Sequence, residues 1–421
     1  MAEEVVLPIP NLTLPQNLYV LSNPALKRLH ENARSKLLEG IKADEMGPWY
    51  RSLTTAASSS STSASASTST STSLSLPLDS KLLAELESAN EQELKRLDER
   101  LADAEKTEGE TEISDALKAK ANYLTRIGDK DKALAAQKLA LEKTPGLGSR
   151  IDIVLTIARI GFFFGDTNLV TEYMAKAEKL IDEGGDWDRR NRLKVYTALH
   201  LISTRQFKRA ADLFLDALST FTATEVISFT DFVAMAVISG ALCLGRVELK
   251  KKVISSPEVN QVIPDLPLLG DLVKNLYECH YDKFFVALAE LEQSVLVPSR
   301  VLGVHARYYV REMRILAYTQ LLESYRSLTL DSLARAFGVS VEFIDRWVIF
   351  LLSLLNAIAN PPTNSELSRF ISTSRLHARI DRVNGIVETT RPSLKTMQYE
   401  VVVKQGDVLL NEVQRLSKVL Y

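Results

Sequence analysis

Cysteine is nearly absent from this chain. Cys243 and Cys279 are the only thiols in 421 residues. Two cysteines cannot build a disulfide framework, and free thiols fit a reducing compartment. Histidine is sparse as well. His30, His200, His280, His305 and His377 stand apart, so neither H-x-H nor H-E-x-x-H metal spacing occurs. There is no C-x-x-C, no Walker A loop, no G-x-G-x-x-G and no G-x-S-x-G elbow. Gly146-Leu-Gly148-Ser lacks the lysine and spacing of a phosphate cradle. Cys279 and His280 are neighbours, but adjacent helical residues point about 100° apart, which does not make a nucleophile–base pair. No catalytic residue, cofactor or metal site is expected.

An excess of charge of either sign is missing too. Lys plus Arg is 51 and Asp plus Glu is 53, for a formal charge of −2. That balance argues against a general polyanion binder, while local patches remain open. The most apolar stretch, Trp347–Ala359, is interrupted by Ser353 and Asn356. It falls short of the ~20 residues that cross a membrane. The opening Met-Ala-Glu-Glu-Val-Val-Leu-Pro has no basic region ahead of an apolar run, so a secretory signal is not expected.

What is present is helix-forming sequence with a 46% hydrophobic content, enough for a sizeable core. Residues 52–77 are the exception. They are almost entirely Ser, Thr and Ala, with no charge between Arg51 and Asp79, and read as a disordered loop or spacer. From about Leu82 to Val295, apolar and Ala positions recur at three and four. A repeat is visible from Asn122 to Pro145. Gly128 marks a tight turn, Ala133 and Ala140 let two helices approach closely, and Pro145 stops the second helix. Similar turns recur at Gly165-Asp166, Arg205-Gln206, Gly245-Arg246 and near His280-Tyr281. Ala210, Phe214 and Ala217 repeat the small–large–small pattern. Units that cannot bury their own apolar faces stack, so a right-handed, tetratricopeptide-like helical solenoid is expected.

The texture changes after about Pro298. Arg311–Tyr325 reads as an amphipathic helix. Leu328–Asp345 reads as helix, Gly338 turn, helix, with Ser340 as cap. Leu376, Ala378 and Ile380 alternate inward, and Asn384-Gly385 signals a two-residue hairpin whose return strand begins at Ile386. Helix-turn-helix followed by a hairpin is a winged-helix module. Its second helix, starting at Val341, carries Glu342, Asp345 and the single base Arg346, too few cations to neutralise phosphates. The wing's Arg375, Arg379 and Arg382 are offset in part by Asp381 and Glu388. A protein-docking module is therefore expected, and nucleic-acid binding is the weaker alternative. From about Leu394 a final helix places Val402, Gly406, Leu409, Val413, Leu416 and Leu420 on a heptad seam that either meets partner helices or folds back on the module.

The densest charged cluster is Gly184–Tyr196. Gly184-Gly185 ends one helix, Asp186 or Asp188 caps the next, and Trp187 packs at its entry. Arg189, Arg190, Arg192 and Lys194 then oppose the helix dipole and need acidic partners. These are either structural, solvated arginines or a docking site.

Solenoid, winged helix and terminal helix, in that order, resemble PCI-domain scaffold subunits of the proteasome lid, the COP9 signalosome and translation initiation factor 3. Gly184–Tyr196, Arg311-Glu-Met-Arg-Ile-Leu-Ala-Tyr-Thr-Gln, Ala336-Phe-Gly-Val-Ser-Val-Glu-Phe-Ile-Asp345 and Ile380-Asp-Arg-Val-Asn-Gly-Ile-Val-Glu388 are similar to the lid family of the 26S proteasome, from about Leu82 to the end. Subunit 1 of the signalosome matches these strings less well. The resemblance implies a non-catalytic role in ubiquitin-dependent degradation, in the cytoplasm and nucleus. It implies a hetero-oligomer with other PCI subunits and the ATPase ring, without nucleic acid or membrane. It places candidate interface residues at Phe337, Val339, Val341, Phe343 and Asp345, at Asn384 and Gly385 of the wing, and at Leu409, Val413, Leu416 and Leu420. The expected organisation is an N-terminal segment 1–81, repeats 82–297, a PCI module 298–393 and a bundle helix 394–421.

One stretch departs from the resemblance. Residues 347–364 interrupt a place where the family passes directly from Ile344-Asp345 to a segment like Glu366-Leu-Ser-Arg-Phe-Ile371. Pro361-Pro362 breaks a helix there. The stretch is either a lineage-specific insertion or a retained intron.

Overall fold

A computed structural model describes residues 7–59, 79–107, 109–339, 375, 378–381, 386–389 and 394–420. The chain forms two compact units, one of residues 1–274 with 287–310, the other of 275–286 with 311–421. No described helix is long and apolar enough to cross a membrane.

The first unit opens with α1 (Thr13–Ser22), α2 (His30–Ala43) and α3 (Gly47–Ser59). Leu14, Leu37, Ile41, Met46, Trp49 and Tyr50 bury one core with Leu86 and Phe163. Residues 52–59, expected in the Ser/Thr-rich loop, instead complete α3, because Gly47–Leu53 has already nucleated a helix that Ser, Thr and Ala can propagate. The rest of that loop lies outside the described residues.

Helices α4 (Ser80–Thr107), α5 (Glu110–Arg126), α6 (Lys130–Lys143), α7 (Leu147–Phe164), α8 (Thr167–Asp182), α9 (Trp187–Ser203), α10 (Phe207–Ala217) and α11 (Phe229–Cys243) each pack on the next. This is the helical solenoid. The hairpin turns fall where the repeats place them. Gly128 and Gly165 take positive φ, and so does Arg205. Gly128 is obligatory twice over, since a Cβ there would also lie 2.9 Å from that of Trp49. Asp129 and Asp166 accept from Lys132 and Leu169 backbone N–H groups and cap the returning helices. The small residues close the hairpins. Ala140, Ala177, Ala210 and Ala217 are all fully buried. Short α12 (Arg246–Leu249), a π-helical turn Lys250–Ile254 and α13 (Pro257–Val262) follow, then α14 (Pro267–Glu278) and α15 (Tyr281–Leu291). Cys279 turns α14 into α15 with φ of 64°.

From Arg311 on, the second unit contains most of α16 (Ala306–Ser324), then β1 (Ser327–Thr329), α17 (Leu330–Phe337), β2 (Ala378–Asp381) and β3 (Ile386–Thr389). The strands form an antiparallel sheet in the order β1-β3-β2, the signature of a winged helix. One expectation needs correcting. Leu328-Thr329 is strand rather than helix, because Leu328 pairs with Val387 and the Thr329 hydroxyl accepts from Ser332 N–H, starting α17 one residue later. Asp381 pairs with Ile386, and the expected Asn384-Gly385 turn between them lies outside the described residues. A helix of Leu394–Leu420 ends the chain.

Candidate protein interface

The winged-helix core is aromatic. Phe337, at the end of α17, sits 4.8 Å from Tyr318, 4.9 Å from Phe285 and 5.1 Å from Tyr281 between ring centroids. Gly338 then leaves the helix with φ of 63°, in a Schellman arrangement. Its N–H reaches Arg335 O, and Val339 N–H reaches Ala334 O. Phe337 is therefore 1% exposed and cannot present its ring to a partner, which corrects its assignment to the docking face. Its hydrophobicity serves the core that holds α17. Val339, just past the turn, is half-buried. Val341, Phe343, Asp345, Asn384 and Gly385 lie outside the described residues.

On α16, Glu312 is buried between Arg311 and Arg375. Thr389 ties β3 back to the end of α16 through Tyr325 O and Arg326 O. Central β3 has both its neighbours. Among the described residues, strands β1 and β2 are the sheet's edges, each with one row of backbone groups that pairs with no described strand.

The C-terminal helix is the most conspicuous surface. Every described side chain from 398 to 417 is exposed. Leu409, Val413 and Leu416 are each at least 60% exposed, so the seam does not fold back on the winged-helix module. Leu420 ends the helix, with its side chain outside the described set. Tyr399, one step of three before Val402, extends the seam, a spacing legible in the sequence but not used there. Val401 and Val408 flank it on one side, Val403 and Leu410 on the other, and all four are exposed. At about 100° per residue, the apolar arc covers roughly 220° of the circumference. One partner helix cannot cover that arc. Several can.

The arginine cluster has a different character. Arg189 forms a fork with Asp152 of α7, Nε to Oδ1 at 3.0 Å and Nη2 to Oδ2 at 2.6 Å, and also pairs with Asp186. The hydrogen bond to Asp152 is the main reason its guanidinium pKa is raised. A Cβ on Gly148 would meet that guanidinium at 3.0 Å, so Gly148 makes room for the fork. Arg192 pairs with Asp188 at 2.8 Å. Arg189 and Arg192 are thus internal staples, and Arg190 is the exposed member. The expected caps do not form, because Asp186 and Asp188 are drawn to the arginines. Trp187 does not pack at the helix entry either. It is 63% exposed.

Among the described residues no cluster of His, Cys, Asp and Glu could hold a metal ion.

Comparison with known proteins follows the same division of the chain. Residues 79–252 match the family described as 26S proteasome subunit RPN7, and residues 280–391 match the PCI domain. Residues 398–420 match the 26S proteasome regulatory subunit RPN7/PSMD6 C-terminal helix. A 26S proteasome non-ATPase regulatory subunit 6 homolog of Arabidopsis thaliana is 41% identical over 412 residues, 98% of this chain and 97% of that protein. The 26S proteasome non-ATPase regulatory subunit 6 of Dictyostelium discoideum is 45% identical over 342 residues, 81% of this chain and 84% of that one. COP9 signalosome complex subunit 1b of Drosophila melanogaster is only 22% identical over 306 residues, 71% of this chain and 54% of that protein. Similarity at this level over nearly the full length, with all three segments matched in order, means that the chain belongs to the RPN7/PSMD6 family of 26S proteasome regulatory subunits.

Proposed function

We propose that this chain is a non-catalytic scaffold subunit of the proteasome lid, acting in ubiquitin-dependent degradation in the cytoplasm and nucleus. The single observation that carries the reading is the C-terminal helix, whose apolar arc is solvent-exposed along its described length. Fully burying one Leu or Val side chain is worth about 1.5–3 kcal/mol. An exposed set of eight such residues, with Tyr399 beside them, therefore calls for a helical bundle built with other subunits. The open edges β1 and β2 offer sheet-to-sheet contact with neighbouring PCI modules, and the solenoid reaches other lid subunits and the ATPase ring. The organisation that goes with this role is a short N-terminal segment, a repeat arm to about residue 297, a PCI module to about 393 and the bundle helix. The interface residues are Leu409, Val413, Leu416 and Leu420, with the wing around Asn384-Gly385 and the helix from Val341.

The test is affinity purification of the tagged full chain from its own cells, with and without residues 394–421. Recovery of lid and ATPase subunits that is lost with the helix supports the role. Recovery of signalosome subunits instead would assign the chain to the distant relative's complex.

A further inference from the structure

A basic knob lies at the outer edge of the fourth helical hairpin, on a segment that the lid-scaffold reading leaves without a task. Between Arg246 and Lys252 the chain carries Arg246, Lys250, Lys251 and Lys252 against one acid, Glu248. All four cations are exposed. That is a local charge of +3, counted as four cations less one carboxylate, in a chain whose total is −2.

The backbone explains why the charges sit together. Leu249 and Val253 are buried, at 3% and 1% exposure, four residues apart on the inward face. Val253 packs where Gly240 of α11 has no side chain, 3.3 Å from the position a Cβ would take. Between these two anchors the helix widens into a π-turn, closed by Ser255 N–H to Lys250 O at 2.9 Å. The extra residue of a π-turn puts three consecutive lysines on the outer side of one turn. Fixed anchors below and three cations above make a preorganised surface. Among the described residues, neither Lys251 nor Lys252 has an ion-pair partner. Val247 stands amid the cations, 69% exposed.

We infer that this knob, Arg246, Val247 and Lys250–Lys252, is a docking surface for an acidic polypeptide segment that carries an aliphatic side chain between its carboxylates. Charge complementarity names the acidic partner, and the exposed valine names the aliphatic one. Single-stranded nucleic acid fits less well. It is held by aromatic faces on which bases stack, and the knob has no aromatic residue and one arginine. The inference goes beyond the lid role and does not depend on it.

Fluorescence anisotropy on the full chain tests it. The probe is the fluorescein-labelled peptide Glu-Asp-Leu-Glu-Glu-Leu-Asp-Glu, titrated at about 50 mM and about 200 mM salt. The Lys250→Glu/Lys251→Glu/Lys252→Glu variant is expected to bind about tenfold or more weakly. Val247→Ser is expected to lose about threefold. Lys95→Glu/Lys138→Glu/Lys143→Glu, which makes the same change in net charge on exposed lysines elsewhere, is expected to bind like the unaltered chain. All of these positions are exposed, so circular dichroism should show unchanged helicity. The inference is overturned if the peptide fails to bind or if the two triple variants weaken it equally. It is also overturned if a fluorescein-labelled oligouridylate of about 20 nucleotides binds as tightly as the peptide, which would make the knob a polyanion site.

Discussion

Gln16 and Arg300 meet across 284 positions of sequence. The Gln16 side-chain carbonyl accepts from the Arg300 N–H at 2.8 Å, while its amide donates to Pro298 O at 2.6 Å. One side chain thus completes the hydrogen bonding of an irregular segment that would otherwise leave two backbone groups unmet. Arg300 continues the tie. Its guanidinium donates to Phe162 O and Phe163 O, satisfying the open carbonyls at the end of α7. The N-terminal helix is therefore part of the solenoid's own structure.

Replacing Gln16 with Ala should destabilise the chain by about 1–3 kcal/mol through two unmet backbone groups. Arg300→Ala should act in the same direction. Thermal or urea unfolding checks both, and the double variant should fall short of the sum, because both changes loosen one segment.

Phe337→Ala should cost about 3–5 kcal/mol, the range for a large aromatic truncated in a core. Phe337→Leu should be milder. A docking residue would show the opposite pattern, with unfolding unchanged and only partner capture lost.

Arg189→Ala should lower stability by roughly 1–3 kcal/mol, because Asp152 loses its forked partner in a largely buried setting. Arg190→Ala, at an exposed position, should stay within about 0.5 kcal/mol. Denaturant midpoints separate the staple from the surface residue.

Alkaline pH should weaken the first unit through Tyr123. Burial, reinforced by the carboxylate of Glu45, pushes its phenol up to about 12, and its hydroxyl donates to Asn90. A phenol harder to ionise when folded than unfolded contributes stability that is fully present below the unfolded value of about 10 and lost as pH rises through about 12. Tyr123→Phe should be less stable at pH 8 yet flatter between pH 10 and 12. Urea midpoints across that window test the slope.

Tryptic mapping of the chain from its natural source should fail to find peptides from residues 347–364. It should recover a peptide joining the Ile344-Asp345 side directly to the Glu366-Leu-Ser-Arg side. A peptide from within Trp347–Asn364 would make the insertion a genuine part of the protein.

Much of the architecture was legible because its signals are local. Gly128, Gly165 and Arg205 turn hairpins at the repeat spacing, with Ala140 and Ala210 beneath them. The seam from Val402 to Leu416 is likewise visible as steps of three and four. What was not legible is long-range. Nothing around Gln16 announces a partner at Arg300. Nothing around Arg159 reveals that this residue, 2% exposed, would reach Leu7 O and Thr156 with its guanidinium. Nothing in the sequence around Trp187 shows that its ring is left 63% exposed at the start of α9. Leu328-Thr329 misled because three residues of strand carry too little periodicity to be told from a helix start.

The central claim is that the exposed C-terminal seam works by burial against other subunits. Its most direct test is the Leu409→Asp/Val413→Asp/Leu416→Asp variant of the tagged full chain, expressed in its own cells. The variant should melt within a few degrees of the unaltered chain, since these side chains are solvated in the free protein, and should no longer co-purify with lid and ATPase subunits. Undiminished recovery of those subunits would contradict it.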